Sequence, residues 1–257
     1  MGFEVSADAY GRFMGRFSEP LADEFVALVE PTAGQRALDV GCGPGALTGR
    51  LVSILGEGSV AAIDPSPSFL EAVRKKHPGI TAKDARAEDI PFDDGAFDLA
   101  LSQLAVHFMT DPVQGMGEMG RVARPGGVVA ASVWDLAGGR APHSPFWDVA
   151  RSLDPGIVGE GTLPGTSSGH LAEIATAAGL QVEESTELTT SSHFDSFDEW
   201  WGTYTYGVGP PGDYFSRLDE EARRRLRGGC RDVLGPGPFE ISAVAWCVVA
   251  RRGKTGA

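Results

Sequence analysis

The chain has 257 residues and sets 22 Lys and Arg against 35 Asp and Glu, a formal net charge of −13. A body this acidic repels nucleic-acid backbones and anionic membrane surfaces unless it displays a local basic stripe. The tightest basic run, Arg223–Arg225 with Arg227, follows Asp219–Glu221. Glu220 and Arg224, like Glu221 and Arg225, fall at i,i+4 spacing, the pattern of a solvated helix face. Neither nucleic acid nor a membrane is therefore expected as a partner.

Cys42, Cys230 and Cys247 are widely spaced, with no CxxC pair. Such spacing suits neither a disulfide framework nor a zinc site, so no metal is expected and a reducing, cytoplasmic setting is. The longest apolar run, Ala243–Ala250, is far short of the ~20 residues of a membrane span. Met1–Ser6 matches the myristoylation pattern formally, but no polybasic partner follows. The first residues show no basic-plus-apolar signal pattern.

In chain order, Tyr10–Phe17 is aromatic, basic and glycine-punctuated. It reads either as an amphipathic helix packed on a sheet or as a lid within residues 1–20. Arg36–Val40 is a short apolar strand followed at once by Gly41-Cys42-Gly43-Pro44-Gly45. Leu47, Leu51, Ile54 and Leu55 then give a helix over Ala46–Leu55, stopped by Gly56. Ser59–Ile63 is a second strand ending at Asp64. Ser66-Pro67 opens a helix to about Lys76, broken by His77-Pro78-Gly79.

Ile80–Ala85 and Phe97–Ser102 are the third and fourth strands. Val113–Ala123 is a helix ended by Pro125-Gly126-Gly127, and Val128–Trp134 is the fifth strand. Continuous apolar strands joined by helices predict an α/β, doubly wound, mostly parallel sheet covered on both faces. Gly169–Ala178 is a helix closed by Gly179, and Gln181–Leu188 is a sixth strand. Asp219–Leu234 is a charged helix and Phe239–Ala250 a final strand. Residues 1–257 thus read as one domain with cap-like insertions at 136–168 and 191–216. The second insertion is dense in aromatics (Phe197, Trp200, Trp201, Tyr204, Tyr206, Tyr214, Phe215), which suggests a pocket for an apolar or aromatic small molecule.

The chemistry concentrates at Leu38–Gly45. Glycines let the backbone turn tightly and let a ligand approach closer than a Cβ allows. The following helix offers free N–H groups at its N-terminus. Nineteen residues beyond Gly45, Asp64 can accept both hydroxyls of a ribose. Gly41-x-Gly43-x-x-Ala46 also fits the dinucleotide fingerprint. Against a dinucleotide, Asp39 at the strand end would face a pyrophosphate unfavourably but suits a cationic ligand. A second mononucleotide-binding half is also lacking. Both features favour one adenosine bearing a positive group.

Four segments, LDVGCGPG (38–45), AAIDPSPSFL (61–70), AEDIPFDDGAFD (87–98) and RVARPGGVVAASVWD (121–135), resemble the class I S-adenosylmethionine-dependent methyltransferases in order. That resemblance implies a Rossmann-like seven-stranded sheet with an antiparallel last strand. It implies S-adenosyl-L-methionine as cofactor, leaving S-adenosyl-L-homocysteine as product. Asp39 would hold the cofactor's amino group, Gly41, Gly43 and Gly45 would shape the loop beneath its methionyl part, and Asp64 would bind the ribose. Pro65 would flank the adenine, and Ala87 would offer it a backbone N–H. The acid beside that position, Glu88, stands displaced from the family's usual place. Ser102 and Gln103 would lie beside the methionyl portion, while Tyr10 or Arg16 would reach its carboxylate from the lid.

Where the acceptor's nucleophile is protonated at neutral pH a base is needed, and His107, just past the fourth strand, is the first choice. His143 in the first insertion is a weaker one. His77, His170 and His193 read as loop or surface residues, and Asp135 as a turn cap or acceptor-orienting group. Three functions remain open: a small-molecule methyltransferase, a cyclase-like protein that binds the cofactor without methyl transfer, and a nicotinamide-dependent oxidoreductase.

Overall fold

The computed structural model describes residues 10–253; residues 1–9 of the expected lid, with the Met1–Ser6 pattern, lie outside them. Seven strands form one sheet: β1 Ala37–Val40, β2 Val60–Asp64, β3 Thr81–Asp84, β4 Phe97–Gln103, β5 Ala123–Trp134, β6 Gln181–Phe194 and β7 Phe239–Arg251. Their order is β3-β2-β1-β4-β5-β7-β6, with β7 antiparallel to both neighbours and β1–β5 parallel. This is the mostly parallel seven-stranded architecture expected from the sequence.

Period-two alternation assigns the two faces of the sheet. Ala37, Leu99, Leu101 and Ala130 enter one core with Phe17, Leu21, Phe25 and Phe146. Leu38, Val40, Ala100 and Val129 enter the other with Met116, Met119, Leu171 and Ile174. Helices α1 Arg16–Val29, α2 Ala46–Leu55, α3 Pro67–Lys76, α4 Pro112–Val122, α5 Ser144–Leu153 and α6 His170–Ala177 supply those side chains and the connections. Three more helices, α7 Phe197–Gly202, α8 Gly209–Arg217 and α9 Glu220–Leu234, build the second insertion and lead from it to β7. Asp219 caps α9 through a 2.8 Å bond from the Ala222 N–H.

Several boundaries differ from expectation for physical reasons. Helix α1 continues well beyond Phe17, where the sequence pattern stops: Pro20 interrupts that pattern, although Leu21, Ala22 and Phe25 are fully buried. The helix expected over Val113–Ala123 runs Pro112–Val122, but Pro125-Gly126-Gly127 do not form a loop after it. Those residues already belong to β5, where the register with β4 shifts between Phe97 and Leu99. Strand β6 runs six residues past Leu188, because an edge strand needs only one apolar face. Its continuation, Thr189–Phe194, alternates exposed polar residues with buried Thr190 and Phe194. His193 is the surface residue expected, placed in an exposed stretch of this strand.

The clustered aromatics of the second insertion pack as core, while Val208, Gly209, Pro210 and Pro211 of the same insertion line a cavity. Phe197, Trp200, Trp201 and Tyr204 are all buried. The Tyr204 ring stacks on Phe146 at 4.5 Å between centroids, tying the two insertions together. Among the described residues no helix is long and apolar enough to cross a membrane.

Candidate active site

A cleft with about 950 Å³ of open space lies at the carboxyl ends of β1, β2 and β4, where open α/β sheets hold their ligands. The β1–α2 turn builds its floor. Gly41, Gly43 and Gly45 all have positive φ, 73°, 52° and 96°, a region that disfavours a Cβ. A Cβ on Gly41 would overlap the Ala105 methyl, whereas one on Gly43 meets nothing within 4 Å. Gly43 is thus the point of the turn open to a ligand.

Asp64 fastens this turn. Its Oδ2 accepts the Gly43 N–H at 2.9 Å and its Oδ1 the Ser66 N–H at 2.8 Å. Each oxygen keeps a second lone pair for a hydroxyl. Burial pushes the carboxyl upward, with the two backbone donors opposing and Asp84 adding to the rise. Asp39 is almost fully buried. Its Oδ2 accepts the Thr48 hydroxyl at 2.6 Å, and its Oδ1 has no partner among the described residues. Burial pushes this carboxyl up to about 7, with Thr48 opposing and Asp64 adding to the rise. A buried, half-satisfied carboxyl beside a glycine turn is what an ammonium group would complete.

Pro65, Ala87, Glu88, Gln103 and Tyr10 also line the cleft. Glu88 is committed elsewhere: its Oε1 accepts the N–H groups of Thr110 at 2.7 Å and Asp111 at 3.2 Å, pinning the start of α4. Gln103 donates through Nε2 to the Ser18 carbonyl at 2.8 Å, leaving a buried Oε1 unpartnered. Three expected residues do not line the cleft, Gly45 among them. Ser102 is fully buried but lines no part of it. Arg16 turns away: its guanidinium pairs with Glu199, donates to the His193 carbonyl at 3.1 Å and lies 4.7 Å above the Phe194 ring. It joins α1 to the cap and does not reach for a cofactor carboxylate. Asp135 is likewise structural, accepting from Arg140, Gly138 and the Trp246 indole.

A second, inner chamber with about 440 Å³ of open space adjoins the cleft and shares Tyr10, Leu104 and Phe108 with it. Leu104 sits on this seam with φ 61°, a conformation that costs a branched-chain residue on the order of 1–3 kcal/mol. His107, His143, Glu160 and Trp134 also line the chamber. The His143 Nε2 and the Trp147 Nε1 both meet Glu160 Oε2 at 2.8 Å. Burial pushes the Glu160 carboxyl upward, but His143, Trp147 and His107 outweigh it and hold the group below the ordinary range.

His107 does not have the near-ordinary imidazole expected of a base. Burial pushes it down to about 4, with Glu160 opposing only in part and His143 adding to the fall. Glu160 and Trp134 carry no signal in the sequence that singles them out. Glu160 lies in a Gly/Pro-rich stretch 17 residues from His143, and no local pattern joins them. Among the described residues no group of three or more His, Cys, Asp or Glu is placed to hold a metal.

Removing the Glu160 carboxylate strips both buried donors of their acceptor. Glu160→Ala is expected to lose about 2–4 kcal/mol of stability, measured by urea unfolding followed through tryptophan fluorescence. Glu160→Gln, which keeps an acceptor oxygen, should lose less than half of that. Because the folded-state carboxyl is depressed, wild-type Glu160 contributes stability above its unfolded pKa of ~4.3 and loses it as pH falls below. The gap between Glu160→Gln and wild type should therefore close in acid.

A strand–glycine turn–helix with an acid at the end of β2, opening on a cleft at the carboxyl ends of the strands, defines a Rossmann-like fold. Comparisons place it more narrowly. Residues 38–131 match the family model described as a methyltransferase domain. Aklanonic acid methyltransferase DauC, from a Streptomyces species, is 30% identical over 149 residues, 56% of this chain and 68% of that one. An uncharacterized methyltransferase of Mycobacterium tuberculosis is 39% identical over 136 residues, 52% of each chain. The match thus spans about half the length of that relative.

Among solved structures, the (4+2)-cyclase SpnF superposes with a TM-score of 0.59 at 17% identity, covering 92% of this chain and 82% of that one. Geranyl diphosphate methyltransferase in complex with SAM gives 0.55 at 14%, covering 93% and 86%. At such identities the likeness shows the fold alone. The chain belongs to the class I S-adenosylmethionine-dependent methyltransferase family.

Proposed function

We propose that the protein transfers the methyl group of S-adenosylmethionine to a small-molecule acceptor held in the inner chamber. The observation that carries this reading is the contiguity of two cavities across Tyr10, Leu104 and Phe108. One is lined by the glycine turn and three carboxylates, the other by mostly apolar side chains. The cofactor's sulfonium supplies an electrophilic methyl. The protein's own task is to align the acceptor with it, and orientation alone can supply roughly 7–11 kcal/mol of the barrier.

Asp39 would neutralise the cofactor's ammonium, Asp64 would accept the ribose hydroxyls, and the Ala87 backbone would meet the adenine. The net charge of −13 supports a small acceptor over a nucleic acid. The buried free thiols of Cys42, Cys230 and Cys247 support a reducing, cytoplasmic location.

S-adenosylhomocysteine should bind, and should raise the melting temperature as a ligand of the folded state alone must. Asp64→Ala should weaken that binding in calorimetry while the protein stays folded. Mass spectrometry of ligand released from the purified protein provides the decisive contrast. A methionyl or homocysteinyl nucleoside supports this reading, and a dinucleotide would replace it with an oxidoreductase. If the protein binds the nucleoside but methylates nothing in an acceptor screen, the cyclase-like reading takes its place.

A further inference from the structure

Three residues lining the inner chamber hold buried polar atoms with no hydrogen-bond partner among the described residues: Nδ1 of His107, Nδ1 of His143 and Nε1 of Trp134. All three side chains are more than nine-tenths buried. An unpaired buried polar atom costs roughly 1–3 kcal/mol. All three belong to residues that line one chamber. Much of the remaining wall is apolar, with Phe13, Met14, Phe108, Leu136 and Pro211 prominent. No lysine or arginine lines it, so an anionic acceptor finds no counter-charge there. An ammonium acceptor would arrive with its nucleophilic lone pair blocked.

The proton inventory of the pair is fixed by its surroundings. Glu160 is held in its ionised, acceptor-only form. The ring nitrogen facing it, Nε2 of His143, therefore donates to it, and in the neutral ring this tautomer leaves the lone pair on Nδ1, one of the three unpaired atoms. An imidazole with a carboxylate behind one nitrogen and a free lone pair on the other is built to receive a proton. His107, kept neutral by burial, is a weak base and serves as a hydrogen-bonding neighbour. Imidazole, with an ordinary pKa of ~6.5, can assist a phenol near ~10. An alkyl alcohol, nearly as weakly acidic as water at ~15.7, gives its proton to imidazole far less readily, so the match is closest for a phenol.

Resting on the methyl-transfer reading above, we propose that the inner chamber takes a neutral acceptor with a phenolic or enolic hydroxyl, whose proton passes to Nδ1 of His143 as its oxygen is methylated. The acceptor's O–H bond breaks and an O–CH3 bond forms. The S–CH3 bond breaks with its electron pair staying on sulfur, which leaves a neutral thioether. The proton on His143 then returns to solvent as product leaves. His143 is the catalytic residue and Glu160 a positioning residue that fixes its tautomer. The Trp134 N–H and the His107 ring hold the acceptor's second polar atom.

Para-nitrophenol is the probe, because its phenolate absorbs visible light and its phenol does not. Protein saturated with S-adenosylhomocysteine is titrated with it below the probe's own pKa. Wild type should bind the probe and develop the phenolate band. His143→Gln should still bind it but show about tenfold less phenolate, the equivalent of losing one unit of pKa displacement. Glu160→Gln should fall between the two, and Trp134→Phe should weaken binding without changing the ionised fraction. Unchanged circular dichroism and S-adenosylhomocysteine affinity certify each variant; if His143→Gln fails them, Glu160→Gln and wild type carry the comparison. An equal phenolate band in wild type and a folded His143→Gln or Glu160→Gln overturns the base assignment. Absence of probe binding to the loaded wild type overturns the acceptor class while the methyl-transfer reading stands. If S-adenosylhomocysteine itself does not bind, the methyl-transfer reading is what fails.

Discussion

Gly43→Val is expected to abolish binding of S-adenosylhomocysteine while leaving the protein folded. The substituted Cβ would meet no atom within 4 Å, since that side of the turn opens on the cleft. The isopropyl group would instead fill space the ligand needs. The folded state bears the cost of holding a β-branched residue at φ 52°, on the order of 1–2 kcal/mol. The binding loss should exceed about 100-fold, or roughly 2.7 kcal/mol. Calorimetry should show no heat of binding, and the melting temperature should stop responding to ligand. Gly41→Val makes the control. Its Cβ would overlap the Ala105 side chain, so there the turn itself must move and stability should fall further. A folded Gly43→Val protein with wild-type affinity would remove the glycine turn from the cofactor site.

The contrast between these two glycines shows what a sequence conveys and what it leaves out. The turn was legible because everything it needs lies within eight residues: an apolar strand, glycines at positive φ and a helix start. Asp64 was legible because a βαβ unit fixes its distance from the turn. That the same carboxylate would also hold the Gly43 N–H was not, since a contact across 21 residues leaves no local mark. The cap was misread for a related reason. Aromatic density told of burial but not of whether Trp200 and Tyr204 would face a ligand or the protein's own core. Tyr204 stacks on Phe146, and Trp200 packs edge-on against Tyr204.

Arg16 and His107 illustrate a second limit. Both sit close in sequence to cofactor-lining neighbours, Tyr10 and Gln103. Yet the partner of Arg16 is Glu199, 183 residues away, and the basicity of His107 is set by burial, which no motif encodes. His143 ranked below His107 in the sequence because it lies in the first insertion and not just past a strand, and its contact with Glu160 leaves no local mark. Residue type and spacing pointed to the cleft at the ends of β1 and β2. Tertiary packing decides which imidazole can act as a base.

Asp39→Asn should stabilise the protein without ligand and weaken it as a binder. Burial raises this carboxyl to about 7, with Thr48 opposing and the charge of Asp64 adding to the rise. In the unfolded chain an aspartate ionises near ~3.9. Between roughly pH 4 and pH 7 the folded state therefore keeps a proton that the unfolded chain has released, so stability falls as pH rises through that window. Above it the folded protein bears a buried charge with one oxygen unpaired. Asparagine removes that penalty, with a ceiling of about 4 kcal/mol at pH 8 from a displacement of about three units. The same substitution discards the anion that an incoming ammonium would meet, and affinity for S-adenosylhomocysteine should drop by roughly 10- to 100-fold, the worth of a hydrogen bond to a charged group. Proton release separates this effect from a merely looser cleft. Near pH 7 the ammonium should drive Asp39 to ionise, so the binding enthalpy of wild type should depend on the ionisation enthalpy of the buffer, and that of Asp39→Asn should not. A wild-type enthalpy independent of buffer would mean that the ammonium does not meet Asp39, and that its unpaired oxygen awaits some other donor.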